Sequence, residues 1–182
     1  MKSQKLLGLL VAFFVLSSLY ACSNTSTKSP DVADGIRKAL DQANFKDVSV
    51  SQDRDKGVVT LSGSTTTEAD KAQAESIAKS IAGSQVVANQ IAVRPPGNES
   101  MAKDVDSDLD KAIEKNLHAQ LVRNKLEHDV RYDVKNGVVT LKGTVISQTR
   151  RAMVEKLATG VPNVQQVVNE IEVKGQKATA SS

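Results

Sequence analysis

The chain has 182 residues, room for one or two small domains. Its formal charge is +3, but without Lys2 and Lys5, which lie in a leader segment, 22 basic groups face 21 acidic ones, and only Phe45 and Tyr132 are aromatic beyond that leader. Such a balance argues against a nucleic-acid partner, which needs a basic field and stacking platforms, and the single cysteine, Cys22, excludes an intrachain disulfide, so the apolar core must hold each domain unaided.

Residues 1–21 predict a secretory signal: a short basic start, an apolar run from Leu6 to Leu19, and Ala21 before the cut. The run is too short to span about 30 Å of hydrocarbon. Leu19-Tyr20-Ala21-Cys22 resembles the bacterial lipobox, with Tyr20 departing from the small residue usual there. The resemblance implies a lipid anchor on Cys22. With Ser23 in place of Asp after it, it implies an outer-membrane lipoprotein facing the periplasm, in a cell with two membranes. Residues 22–30 read as a polar tether.

The rest is one unit written twice. Residues 57–93 align without a gap on 137–173, with 14 identities in 37 positions. In the first copy, Val32, Ile36, Ala39, Leu40 and Ala43 predict a helix; Val48 and Val50 start an alternating strand; Lys56-Gly57 marks a turn; Val59 and Leu61 continue a second strand. Thr67 caps a second helix with Ala74, Ile77, Ala78 and Ile81 inward, and Val87, Asn89, Ile91 and Val93 share one face of a closing strand. The second copy repeats this with Leu109, Ile113, Leu117 and Leu121, then His128, Val130, Tyr132 and Val134, the hairpin turn Asn136-Gly137, the cap Ser147, and Val154, Leu157, Ala158 and Val161. Matching Ile36 and Leu40 to Ile113 and Leu117 gives the second copy three extra residues after its first helix and sets His128 in the place of Val48. Thr60, Ser62 and Gln90, with Thr140, Lys142, Glu170 and Glu172, form a second sheet face expected to meet water.

The expected class is α+β: two tandem αββαβ domains, each a three-stranded mixed sheet with two helices on one face. The boundaries are 31–94 for the first domain, 95–105 for a Pro/Gly linker, 106–174 for the second domain and 175–182 for a disordered tail.

Gly57-Val58-Val59-Thr60-Leu61-Ser62-Gly63, its partner from Gly137 to Gly143, and Val161 to Asn169 closely resemble the BON domain, a bacterial envelope module. Ser84 stands in copy one where the pattern carries valine, so a looser core is expected there. The resemblance implies phospholipid binding and support of envelope integrity under stress, without catalysis. The residues themselves offer no catalytic set, no metal site and no cofactor motif. His118 lies opposite the apolar stripe, His128 reads as an edge-of-core residue, and Asp104, Asp106, Asp108 and Asp110 lack the glycine and closing glutamate of a calcium loop.

Beyond the anchor, expected partners are anionic phospholipid headgroups. These would meet Lys111 and Lys115 on the outer face of helix one, Arg123 and Lys125 in the extension, and Arg150 and Arg151 opening helix two. The alternative is a protein-interaction or scaffold module for envelope proteins, pairing through a sheet edge.

Overall fold

A computed structural model describes residues 28–175. Cys22, the leader and the tail beyond Gly175 lie outside the described residues. Copy one comprises α1 (Ala33–Gln42), β1 (Val48–Asp53), β2 (Val58–Thr65), α2 (Glu68–Ala82), β3 (Val86–Asn89) and β4 (Ala92–Val93). Copy two comprises α3 (Glu99–Arg123), β5 (Val130–Lys135), β6 (Val138–Val145), α4 (Gln148–Thr159), β7 (Gln166–Asn169) and β8 (Glu172–Val173). In each, the first two strands form an antiparallel hairpin and the broken third strand runs parallel to the second. This is the expected α+β arrangement.

One sheet face is dry because its residues are apolar at alternate positions and the helices present matching stripes. Ile36, Leu40, Val59, Leu61, Ala74, Ala78 and Ile91 form the first core. Leu117, Leu121, Val139, Leu141, Val154, Ala158 and Ile171 form the second. Copy two is the fuller: buried Val154 stands where copy one has Ala74, and Val164 packs on the core where Ser84 is exposed. Thr67 and Ser147 cap α2 and α4, their side chains accepting from the backbone N–H of Asp70 and Arg150.

The first helices align differently from expectation. Each ends on a residue with positive φ, Asn44 (64°) and Lys125 (54°), followed by a backbone bond from Phe45 to Leu40 and from Leu126 to Leu121. Leu121, not Leu117, is therefore the counterpart of Leu40. Arg123 and Lys125 belong to the helix end, not to a three-residue extension. A slip of four residues, about one turn, leaves an apolar stripe in phase, so the stripe alone could not set this register. Val130, opposite Gly143 as Val48 is opposite Gly63, begins β5. His128 precedes the strand and its side chain is 94% exposed. The spare length lies at the front: α3 starts at Glu99, within the 95–105 segment expected to be linker, and Leu109 is exposed.

The closing strand is interrupted after Asn89 and after Asn169, and the asparagines bridge the gap. Asn169 Oδ1 accepts from the Ile171 N–H at 3.1 Å while its Nδ2 donates to Glu155 Oε2 at 2.8 Å. Asn89 does the same toward Ile91 and Glu75. Each break is thus tied to the helix above it, which satisfies buried polar groups that the sheet leaves over.

The second sheet face is not wholly wet. Val58 and Ala88 of copy one meet Val138 and Val168 of copy two in a cluster of their own, and Thr140 is buried with them. Equivalent residues of the two repeats meet, so the copies are related by a pseudo-twofold. Gln166 clamps the meeting strands: its Oε1 accepts from the Asn89 N–H at 3.1 Å and its Nε2 donates to the Val87 carbonyl at 2.8 Å. Each hairpin turn reaches the other copy's broken strand, Asn136 Nδ2 donating to the Gln90 carbonyl and Lys56 Nζ pairing with Glu172 at 2.6 Å.

Candidate functional site

The six cations expected to read lipid do not form one patch. Arg123 and Lys125 lie exposed at the end of α3, and Arg150 opens α4, where it pairs with Asp129 at 3.5 Å in the loop before β5. These three share one end of copy two with the exposed apolar residues Val122 and Ile146. Lys111 pairs with Asp108 and is twelve residues from Arg123 along α3, about 18 Å at 1.5 Å per residue. Its neighbour Asp110 accepts from the N–H groups of Asn136 and Gly137, which fixes that turn of the helix at the opposite end of the sheet. Lys115 is exposed between the two ends. Arg151 leaves the set: half-buried, it donates to the carbonyls of Asn169 at 2.8 Å and Ile171 at 3.0 Å across the strand break. The acidic alternation is likewise structural at two positions, Asp110 holding the hairpin turn and Asp106 pairing with Arg94 at 2.5 Å.

The chain enters copy one at a defined place. Ser29 N–H donates to the Arg54 carbonyl, Gln52 Nε2 donates to the Pro30 carbonyl, and Gln52 Oε1 accepts from the Val32 N–H. Residues 28–32 therefore lie along the hairpin end of copy one. The two copies meet with their strands antiparallel, since Asn136 below β6 reaches Gln90 near the top of copy one, while Lys56 below β2 reaches Glu172 near the top of copy two. The hairpin end of copy one thus faces the same way as the end of copy two that carries Arg123, Lys125 and Arg150.

A cleft of about 520 Å³ lies between α2 and α4, beside the clamp of Gln166. Glu75 lines it. Burial opposes its ionisation, but Lys79 at 2.6 Å and the Asn89 amide outweigh burial and hold its pKa below the usual carboxylate value. Glu170, on the interdomain face, has its pKa raised by burial, with Lys142 opposing, Asp53 raising it further and Lys56 opposing. Among the described residues no three His, Cys, Asp or Glu side chains gather to hold a metal, and no helix is long and apolar enough to cross a membrane.

A tandem, two-layer αββαβ unit with a glycine-flanked second strand and an asparagine at the break of the third defines the class of module present. The chain belongs to the BON domain family, whose model matches residues 29–95 and 109–175. It is 29% identical over 160 residues to osmotically-inducible protein Y of Escherichia coli strain K12, covering 87% of this chain and 78% of that protein. Two solved structures of CdsD, a structural protein of the type III secretion system of Chlamydia trachomatis, match at 17% identity. They cover 78% of this chain and 65% and 61% of theirs, with TM-scores of 0.30 and 0.31. A likeness of that size carries no functional weight.

Proposed function

We propose that this is a cell-envelope protein of the stress-related BON kind, held to the membrane by lipid on Cys22. In this reading the end of copy two bearing Arg123, Lys125 and Arg150 rests on anionic phospholipid. One observation carries the reading: the tether enters at the end of the molecule to which these cations also point. Exposed Val122 and Ile146 beside them suit the headgroup boundary, where apolar contact adds to charge attraction. Family membership and the likeness to an osmotically inducible protein support an envelope role under stress, and an outer-membrane, periplasm-facing location follows from the lipobox resemblance.

The scaffold alternative gains less support. The outer edge strand β5 alternates exposed Arg131, Asp133 and Lys135, and charges on an edge discourage strand addition.

The test is co-sedimentation of the chain lacking the leader and Cys22 with phosphatidylglycerol and phosphatidylcholine vesicles at low and high salt. Each basic residue contributes about 1 kcal/mol near an anionic surface. Reversing Arg123, Arg150 and Lys125 to Glu should therefore weaken binding to anionic vesicles by about 100-fold or more, with Lys111→Glu a lesser effect. Binding that is unchanged by the triple reversal, or insensitive to salt, rejects this surface.

A further inference from the structure

Position 71 of copy one and position 151 of copy two are equivalent in the repeat, yet they do different work. Arg151 spends its guanidinium on the carbonyls of its own strand break. Lys71 is 8% exposed, a burial rare for lysine without a full set of partners. Its ammonium does not close the break in copy one. It turns into the cleft between the copies and donates to Gln165 Oε1 at 3.0 Å, its one hydrogen-bond acceptor among the described residues. An ammonium has three donors, so two N–H groups of a buried cation stand beside a cavity large enough for a small molecule.

The rest of the lining is mixed in a way that selects a chemical class. Glu75 and Glu155 reach the cleft from α2 and α4, and Val138, Val164 and Val167 give it an apolar wall. Glu75 already holds Lys79, and both carboxylates accept from the strand-break asparagines, so their positions are fixed. A simple anion would meet Lys71 but also two carboxylates. A simple cation would meet the carboxylates but also a buried ammonium. A molecule carrying one carboxylate and one ammonium satisfies both.

We propose that the interdomain cleft binds a small zwitterion, an amino acid or a peptide of two or three residues. Its carboxylate sits on Lys71 Nζ, its ammonium faces the side of the cleft lined by Glu75 and Glu155, and its side chain lies against the valines. The cavity of about 520 Å³ admits either source. Because the lining comes from both copies, the ligand fastens them together, and it binds the folded, closed chain alone.

The experiment is a titration of the chain lacking its leader and Cys22, followed by thermal melting and by amide NMR of Gln165 and Gln166. The probes are alanine, valine, dialanine and trialanine, with acetate, methylammonium and both together as controls. A zwitterion should raise Tm in a saturable way and shift the Gln165 and Gln166 signals, whereas the controls should not. The size series distinguishes amino acid from peptide. Lys71→Met keeps the volume and removes the charge, so it should retain or raise the Tm of the unliganded chain. It should weaken zwitterion binding about 100-fold, the loss of a charged hydrogen-bonded contact. If no zwitterion moves Tm or those signals at 50-fold excess and beyond, the proposal is wrong. It is equally wrong if acetate or methylammonium alone does as well, or if Lys71→Met lowers Tm and leaves binding intact. Vesicle binding by the end that bears Arg123, Lys125 and Arg150 is a separate readout, so failure here leaves the lipid reading standing.

Discussion

Replacing Gly143 by alanine tests the tightest point of the fold. A Cβ there would lie 2.1 Å from the Asp129 carbonyl oxygen and 3.2 Å from Val130 Cα, and the residue has φ of +134°. The obstruction is backbone against backbone, so no side chain can turn away to relieve it. Holding a residue with a Cβ at such a φ costs about 1–3 kcal/mol. Separating the start of β5 from β6 loses the bond from Thr144 N–H to Asp129 at 3.2 Å, worth about 1 kcal/mol. It also loosens Val130, 3% exposed, whose full burial is worth about 1.5–3 kcal/mol. With about half of that burial lost, the total is about 3–5 kcal/mol. At about 0.05–0.15 kcal/mol per residue, a copy of this size has only about 3–10 kcal/mol to lose. In the protein lacking residues 1–22, urea unfolding followed by Tyr132 fluorescence reports copy two alone, because the sequence has no tryptophan and its other tyrosine is Tyr20. With a slope of about 1 kcal/mol per molar, the midpoint should fall by about 3 M or more, leaving copy two largely unfolded in buffer. Gly63→Ala, whose Cβ would lie 1.9 Å from the Asp47 carbonyl, should strike copy one and largely spare the Tyr132 transition. A loss below about 1 kcal/mol for Gly143→Ala would refute the reasoning.

Other outcomes follow from the interdomain face. Val138→Asp sets a carboxylate in the cluster of Val58, Ala88 and Val168, a cost of several kcal/mol for an unpaired buried charge. The copies should separate while keeping their own folds, seen as a larger radius of gyration in solution scattering with an unchanged circular-dichroism spectrum; an unaltered scattering curve would count against this interface. Glu170 gives a pH dependence of definite sign. Its folded-state pKa is raised, chiefly by burial, so the folded chain holds the proton more tightly than the unfolded chain does. Stability therefore declines as pH climbs from the unfolded carboxylate value through the folded one, and is flat above it. Glu170→Gln should raise Tm at pH 7–8, with the gap closing below about pH 4. A lower Tm for that variant at neutral pH would mean that Lys142 and Lys56 outweigh burial.

Much of the architecture was legible from periodicity and turn chemistry. The alternation Val59, Leu61 and its repeat, the stripes of α2 and α4, the caps Thr67 and Ser147, and the turn Asn136-Gly137 all arise from interactions within a few residues, and local sequence records those directly. The signal for the buried second face was also present. Val58-Val59, Val138-Val139 and Val167-Val168 are adjacent apolar pairs, and neighbours in a strand point to opposite faces. Polar Thr60, Ser62 and Gln90 share that face and mask the pattern.

The candidate surface was legible in residue type only. Six cations could be named, but their grouping depends on where helix α3 ends, and a stripe repeating every turn leaves that ambiguous by four residues. The positive-φ cap at Lys125 decided it. Arg151 resembled its neighbour Arg150 in sequence, yet only the broken strand beside it, with two carbonyls to satisfy, gave it a structural task. Nothing local marks Lys71 either, since the acceptor of its ammonium, Gln165, lies 94 positions away. The sequence by itself determined two αββαβ units, their cores and their family, because those rest on local periodicity and on repetition. Tertiary structure decided how the two units set those faces against each other, which cations share an end with residues 28–32, and which lysine is left in the cleft. Those properties depend on contacts between distant segments, and no short-range pattern encodes them.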